Sequence, residues 1–366
     1  AIVAEIKDGE VKKVLKGFEK DASSDAGNAK ESGKAPDRPE SFDSLIEQIS
    51  NRIAYATVGG KPGYIDMAEE GTLSIWTKQA LLEYYEQDGH WEGKQWINPA
   101  ATWIRSGLRK RYEGLRMMPD AKKCDPRYYN LFRGFQVQPD TQPNPEQRCS
   151  LWLSHVRENI CHNVDEHYWW LLAWFALLVQ DPSAVHGVAV VLRGGKGTGK
   201  GITAVPFYRH IFHRANAYRA DQSQQLLGRF NAHLATACFV FADESFWAGS
   251  KAEEGVLKGL ITENRGGAEF KGRDAVQIDR HISMLISSNE DWVIPATIDD
   301  RRFTVFDVSK AHQQDKPYFA AIVQQMKNGG NEALLGYLLG LDLKTLPDPR
   351  TPLRTEALTR QVGGVG

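Results

Sequence analysis

Residues 188–200 read VAVVLRGGKGTGK, an apolar run followed by a glycine-rich stretch that ends in lysine. The apolar run predicts a strand over Gly187–Leu192, and the residues after the lysine predict a helix over Gly201–Phe212. The stretch between them has the spacing GxxxxGK, in which glycines allow a tight turn whose backbone N–H groups converge on phosphate oxygens. Lys200 would reach the β- and γ-phosphates of a nucleotide. The predicted nucleotide-binding residues are Gly194, Gly195, Lys196, Gly197, Thr198, Gly199, Lys200 and Gly201.

The residue after Lys200 departs from this pattern. A phosphate loop of this kind normally has Ser or Thr there to hold Mg²⁺, whereas this chain has Gly201. Thr198 and Thr203 are close in sequence, but neither has that register. Either water completes the metal shell or the affinity for the metal is lower than usual. In both cases we expect ATP turnover to require Mg²⁺.

A second apolar run ends in two carboxylates. Residues 238–244 read CFVFADE, so a buried strand would deliver Asp243 and Glu244 to the edge of a sheet. Asp243 would hold Mg²⁺ directly or through water, and Glu244 would orient and activate the attacking water. A surface acidic pair is the alternative interpretation.

Two further apolar runs are each bordered by polar residues. Residues 282–288 are followed by Asn289, which could hydrogen-bond the γ-phosphate or the attacking water, or could simply end the strand in a turn. Arg301 and Arg302 precede the run Phe303–Val308. One of these arginines would stabilise transition-state charge at a neighbouring subunit's nucleotide; a local salt bridge with the two preceding aspartates is the alternative. Strand-like runs that alternate with helical segments predict a parallel α/β sheet.

Taken in order, these motifs resemble one family. The segments GGKGTGK, FVFADES, ITENRGGAEFKGRDAVQI and MLISSNEDWVIPATIDDRRFTVFDV are similar to those of superfamily 3 helicase ATPases. In particular they resemble the helicase portion of phage and plasmid primase–helicase (primase–polymerase) replication proteins. The resemblance covers about residues 125–310, including YNLFRGF at 129–135. It implies an AAA+-like core, a homo-oligomeric ring that is usually hexameric, ATP-driven 3′-to-5′ movement on single-stranded DNA, and an upstream primase or polymerase domain.

The same resemblance implies a pore hairpin over Gly267–Ile278. The residues themselves predict two short strands around Lys-Gly-Arg. Six such loops in a ring would line a channel with cations, which would bind the DNA backbone independently of sequence. Lys271 is the first choice for the phosphate contact, Arg273 the second and Lys258 the third; an ordinary charged hairpin tip is the alternative.

Composition limits the class of protein further. The chain has 366 residues and a formal net charge of −1, from 45 Lys+Arg and 46 Asp+Glu. This balance excludes a polybasic protein but not a nucleic-acid binder whose cations are concentrated on one surface. The predicted domains are a helix and flexible tether over 1–40, a mostly helical collar over 41–180, the ATPase core over 181–310, and C-terminal helices with a loose tail over 311–366.

Several patterns predict no chemistry. The four cysteines form no CxxC pair and are interpreted as free thiols in a reducing compartment. His155, His162 and His167 are interpreted as structural or solvated residues. No secretory signal or membrane span is predicted. The chain starts at Ala1, which suggests a fragment of a longer protein, and we expect a cytoplasmic protein of a bacterial host cell, encoded by a phage or mobile element.

The sequence therefore predicts an ATP-dependent DNA helicase motor that uses ATP and Mg²⁺ and has single-stranded DNA and further copies of itself as partners. Two alternatives stay open. One is a non-translocating P-loop phosphotransferase, which would need an acceptor pocket but neither Asn289 nor the arginine pair. The other is a nucleotide-switched assembly scaffold, for which Gly201 is the only support.

Overall fold

The computed structural model describes residues 41–67, 73–228, 231–243, 251–270, 274–289 and 300–363. The predicted helix and tether over 1–40 lie outside these ranges. From Ile46 onward the described residues belong to one compact unit. The α-helices are α1 Phe42–Arg52, α2 Lys78–Tyr84, α3 Pro99–Arg105, α4 Pro145–Arg148, α5 Ser150–Ser154, α6 Asp165–Gln180, α7 Lys200–Val205, α8 Ser223–Leu227, α9 Lys251–Thr262, α10 Lys316–Gln325, α11 Asn331–Gly340 and α12 Glu356–Gly363. The strands are β1 Ile53–Val58, β2 Lys61–Asp66, β3 Ile75–Trp76, β4 His90–Glu92, β5 Gln95–Ile97, β6 Arg111–Tyr112, β7 Gly114–Arg116, β8 Tyr128–Asn130, β9 Ala189–Arg193, β10 Ala217–Ala220, β11 Phe239–Asp243, β12 Arg265–Ala268, β13 Val276–Asp279, β14 Ser283–Ser288 and β15 Phe303–Asp307.

A five-stranded parallel sheet in the order β10-β11-β14-β9-β15 forms the centre of this unit. Apart from β10, its strands are mostly apolar runs, as expected for parallel strands that are covered on both faces. Successive residues alternate between the faces: Val190 and Leu192 pack in one hydrophobic cluster, and Ala189 and Val191 in another. The predicted α/β fold with a parallel sheet is therefore confirmed, and this sheet is consistent with a P-loop core.

The helix α6 is buried around its whole circumference and packs against the sheet. Trp174 and Phe175 are fully buried, and the Trp174 indole N–H donates to the carbonyl oxygen of Val188 over 2.9 Å. Phe175 stacks on Phe207, with ring centroids 4.4 Å apart. Phe207 belongs to the π-helical segment Pro206–Ile211 that continues α7. Thus α6 fixes both the start of β9 and the helix that follows the phosphate loop.

The region before the sheet contains strands as well as helices. Strands β3-β2-β1-β6 form a second sheet, in which β1 and β2 are an antiparallel hairpin. Gly59 and Gly60 join these two strands in a tight turn with φ of 58° and 69°. One hydrophobic cluster includes Ile65 of this sheet as well as Val190 of the central sheet. The predicted boundaries between collar and core stay predictions.

The C-terminal tail, which was predicted to be loose, contains a helix that packs against the central sheet. Residues 356–363 form α12, and its Ala357 and Leu358 pack in the cluster on one face of the central sheet. The Thr355 hydroxyl donates to the carbonyl oxygen of Val305 over 2.5 Å, and Arg360 pairs with Asp307 over 2.5 Å. Contacts with β15 therefore hold the tail against the central sheet.

Candidate functional site

The topology of the central sheet brings the predicted site residues to one edge. Strand β14 pairs with β9 on one side and with β11 on the other. All three strands are parallel, so their carboxyl ends meet at the same edge, where ligands of α/β folds commonly bind. The phosphate loop follows β9, Asn289 follows β14, and Asp243 is the last residue of β11. The predicted loop, amide and carboxylate therefore lie on three adjacent strands.

The phosphate loop is a turn of alternating backbone conformation. Gly197 and Gly199 have φ of 76° and 94°, which only glycine adopts without strain. Such alternation makes a concavity of backbone N–H groups that binds anions. Thr198 is fully buried, and its hydroxyl donates to the carbonyl oxygen of Gly195 over 2.9 Å. This side chain therefore braces the loop from within.

Lys200 connects the loop to the neighbouring strand. Its ammonium group donates to the carbonyl oxygens of Gly194 over 2.6 Å and Gly195 over 2.8 Å. It also donates to Oδ1 of Asn289 over 2.8 Å. The side chain is almost fully buried. The lysine and the amide that were predicted to share the γ-phosphate are thus already in contact.

Asp243 has a hydroxyl and a guanidinium as partners. Its Oδ1 accepts from the Ser287 hydroxyl over 2.6 Å, and its Oδ2 accepts from Arg219 over 2.9 Å. Neither partner is predicted from the sequence. Ser287 lies in β14, two residues before Asn289, and this position is a signal that could have been used. Arg219 lies in β10, for which the sequence has no signal. Glu244 lies outside the described residues.

The residues present fit a magnesium ion that is bound largely by water and nucleotide. The Asp243 carboxylate is an oxygen ligand of the kind Mg²⁺ prefers, and Gly201 supplies no hydroxyl. The Thr198 hydroxyl is turned to Gly195, and the Thr203 hydroxyl is buried with no partner among the described residues, so neither replaces it. The described ranges contain no cluster of three or more His, Cys, Asp or Glu that could hold a metal.

The two candidate arginines have different surroundings. The backbone N–H of Arg302 donates to Asp300 over 2.9 Å, and its guanidinium lies 3.5 Å from the same carboxylate. Arg301 is exposed, and no carboxylate in the described part of the chain lies within ion-pair distance of it. A local salt bridge with Asp300 therefore describes Arg302 and not Arg301, whereas Asp299 lies outside the described residues.

The predicted hairpin has the expected strands. Strands β12 and β13 pair antiparallel from Arg265 opposite Asp279 to Ala268 opposite Val276. Lys271 and Arg273 lie outside the described residues. Lys258, in α9, is held by two carboxylates: Nζ lies 2.6 Å from Glu254 and 3.3 Å from Asp300, and the side chain is 23% exposed.

Three of the four cysteines are buried. All four cysteines are free. Burial raises the pKa of Cys149 to about 12 and raises the pKa values of Cys161 and Cys238 further, so none of these three is a thiolate near neutral pH.

Within the described ranges, no helix is both long enough and apolar enough to cross a membrane.

The chain is similar to known proteins in two ways. Residues 192–302 match a family of unknown function (DUF5906). No curated protein matches the chain. The apo structure of the NrS-1 C-terminal region, residues 305–718, is 18% identical with a TM-score of 0.65, over 91% of this chain and 76% of that one. A further apo structure of that region, the A form, also gives a TM-score of 0.65 at 18% identity, over 90% and 76% of the two chains.

These likenesses concern the fold. At 18% identity, the match to the NrS-1 region shows that this chain has the same fold over most of its length. A JCV helicase with a bound acetamide compound is 12% identical, over 62% of this chain and 61% of that one, with a TM-score of 0.35, which is too low to support an argument. The assignment to superfamily 3 stays a prediction.

Proposed function

We propose that this chain binds and hydrolyses ATP at the phosphate loop. The observation that carries the proposal is the contact of the Lys200 ammonium with Asn289, 2.8 Å across two adjacent strands. Asp243 ends the next strand of the same sheet. A glycine-rich anion cradle, a lysine, an amide and a carboxylate converge at one edge, as phosphoryl transfer to water requires.

The chain's own residues would divide the work of hydrolysis. The loop N–H groups would bind the phosphates, and Lys200 would stabilise the negative charge that grows on the transferred group. Asn289 would orient the γ-phosphate or the attacking water, and Glu244 would accept a proton from that water. Asp243 would hold Mg²⁺, which supplies neutralisation of phosphate charge when it is bound.

We further propose that hydrolysis drives movement on single-stranded DNA, so that the protein is a helicase motor in phage or mobile-element DNA replication. The support is the antiparallel pair β12–β13, between whose strands the sequence contains Lys271 and Arg273. Repeated around a ring, such tips would bind the DNA backbone without reading its sequence. The near-zero net charge of −1 agrees with a few cations in a pore rather than a basic exterior.

The ring would be a homo-oligomer, a hexamer by the family resemblance, in a cytoplasmic protein with an upstream primase or polymerase domain. In this ring Arg301 would reach the nucleotide of the neighbouring subunit. It is the better candidate of the pair because it is exposed, whereas Arg302 is engaged by Asp300 of its own chain. A guanidinium at the γ-phosphate would stabilise the transition state.

The first experiment measures ATP turnover with and without single-stranded DNA. We expect DNA to stimulate turnover, and Glu244→Gln to abolish it while nucleotide binding persists. Lys271→Ala should remove most of the stimulation, whereas Lys344→Ala, at an exposed lysine after α11, should keep it. Turnover that ignores DNA would favour a phosphotransferase. ATP binding without turnover in the unmodified protein would favour the scaffold.

A second experiment tests Arg301 by mixing subunits. Lys200→Ala removes a phosphate contact and keeps the arginine, and Arg301→Ala does the reverse. In a mixed ring, an Arg301→Ala subunit contributes an intact phosphate loop, and a neighbouring Lys200→Ala subunit contributes an intact Arg301. Together they form a complete site, so the mixture should be more active than either variant alone. No gain on mixing, with mixed rings demonstrated by mass, would exclude a role for Arg301 between subunits.

A further inference from the structure

Four consecutive carbonyl groups of the phosphate loop accept hydrogen bonds from outside the loop. The four donors come from two separate segments of chain, one before β9 and one after β15. Gln313 Nε2 donates to Lys196 over 3.0 Å, Gln314 N to Gly197 over 2.8 Å, Asn159 Nδ2 to Thr198 over 2.8 Å, and His155 Nε2 to Gly199 over 3.1 Å. The Gly199 carbonyl also accepts from the N–H of Ile202 in α7.

These contacts fix the direction of the loop's N–H groups. In a trans peptide the C=O of one residue and the N–H of the next point in opposite directions. Because the carbonyls of residues 196–199 point away from the concavity of the loop, the N–H groups of residues 197–200 point into it. In the described part of the chain, the N–H groups of Gly197, Thr198 and Gly199 have no acceptor. They are donors that are prepared for an anion.

His155 holds the end of the loop. Its ring is fully buried, and Nδ1 lies 3.2 Å from the Tyr318 hydroxyl. Because a carbonyl only accepts, Nε2 carries the hydrogen and Nδ1 accepts from the tyrosine. Burial lowers the pKa of His155 to about 4, so this neutral form persists at physiological pH. A Cβ on Gly199 would lie 2.6 Å from the imidazole, so the ring is packed directly against the loop.

Asn159 holds the middle of the loop, at a cost to stability. It is 2% exposed, and its Oδ1 is buried with no donor among the described residues. An unsatisfied buried acceptor costs about 1–3 kcal/mol, so folding alone would favour an apolar residue here. His155 and Asn159 both lie in the π-helical segment His155–Ile160. Such segments are rare and are frequent at functional sites.

We propose that His155 and Asn159 are positioning residues that orient the loop's N–H groups toward nucleotide phosphates before the nucleotide arrives. The inference rests on the proposed function, because it concerns how tightly the same loop binds. Neither side chain would touch the phosphates. Each acts through a carbonyl, so its loss would let one peptide unit rotate and take one N–H out of the cradle.

The test compares ADP affinity among variants by calorimetry, at a temperature where circular dichroism shows all of them folded. His155→Phe keeps the ring but loses the donor, and Asn159→Leu keeps the size but loses the amide. Each should raise the dissociation constant for ADP about fivefold to tenfold. His155→Gln retains a donor and should recover most of the affinity. Val156→Ala is the control, because Val156 is buried in the same segment and donates no side-chain hydrogen bond.

The outcomes separate the two proposals. If the unmodified protein binds neither ADP nor ATP, the proposed function fails, and the inference fails with it. If it binds ADP but both donor-less variants stay within about twofold of it, the positioning role is overturned. Equal weakening by Val156→Ala would also overturn it, since that result would mean general loosening. Should a buried variant not fold, Gln313→Ala tests the same type of contact at an exposed position. It should raise the dissociation constant for ADP about twofold to threefold.

Discussion

Gly201 allows a direct test of how the proposed site holds magnesium. It is the second residue of α7, directly after Lys200. A Cβ built there meets no atom within 4 Å, and its φ is not in the left-handed region. Gly201→Ser can therefore be made without steric cost, and it places a hydroxyl at the position where phosphate loops usually have one. Gly201→Ala is the matched control for the change in backbone freedom.

Two effects of different origin are expected. Replacing glycine in a helix stabilises the folded state by about 0.5–1 kcal/mol, which raises Tm by about 1 °C in a chain of this size. Both variants should show this effect, and the gain in stability should be smaller for Gly201→Ser than for Gly201→Ala. A hydroxyl ligand contributes about 1 kcal/mol to metal binding, so only Gly201→Ser should lower the Mg²⁺ concentration for half-maximal turnover, by about fivefold.

The assay is ATP turnover at fixed ATP as the concentration of free Mg²⁺ is varied, together with thermal unfolding of all three proteins. A fivefold shift in Gly201→Ser and none in Gly201→Ala would show that a ligand is missing at this position. If the serine and alanine variants titrate alike, Mg²⁺ is held without any contribution from position 201. Turnover in EDTA equal to that with Mg²⁺ would refute the need for the metal altogether.

Three further predictions concern stability. Lys258→Met should lower the free energy of unfolding by about 1–2 kcal/mol, because Asp300, whose side chain is 2% exposed, loses one of its cations; weaker binding to single-stranded DNA at unchanged stability would instead support a DNA contact. Burial lowers the pKa of His186 to about 4, so the unfolded chain binds more protons between pH 4 and 6.5. Protonation of this one group should therefore lower the free energy of unfolding by about 3 kcal/mol as the pH drops through that window, and the free energy measured by urea unfolding should depend less on pH in His186→Asn. Leu358→Ala should cost about 2 kcal/mol in the same assay, since Leu358 is 2% exposed against the central sheet; no change would mean that α12 contributes little to the packing.

The sequence predicted the parts of the fold whose signal is local. Four of the five central strands were predicted from apolar runs, and the observed bounds differ by no more than two residues. Strand β10 was missed because its residues, AYRA, include no run of branched or aromatic apolar side chains. Helix α12 was missed because its apolar residues, Ala357, Leu358 and Val362, are few and stand in a polar tail. Both elements are stabilised by the finished sheet, which no local pattern reveals.

The candidate site divides in the same way. Lys200, Asp243 and Asn289 belong to contiguous motifs, and the order of the strands brings them to one edge. The residues that hold these side chains in place do not belong to contiguous motifs. Arg219 lies 24 residues from Asp243, and His155 lies 44 residues from Gly199. A histidine that donates to a carbonyl has no fixed spacing from it, so only the folded arrangement distinguishes this buried histidine from an ordinary core residue.

The hydrogen bonds of the site bear on which groups bind nucleotide and which accelerate its hydrolysis. The three N–H groups of Lys200 already have two carbonyls and an amide as acceptors. A phosphate would exchange these bonds, and an exchanged bond contributes little net affinity. The N–H groups of residues 197–199 have no acceptor in the described part of the chain, so their contribution to binding is not reduced in this way. We therefore expect the backbone cradle to dominate affinity and Lys200 to act mainly on charge that develops in the transition state. Lys200→Ala should then lower kcat by about a hundredfold or more while the dissociation constant for ADP rises much less. A variant that loses ADP binding in proportion to kcat would show instead that the lysine, and not the cradle, holds the ground state.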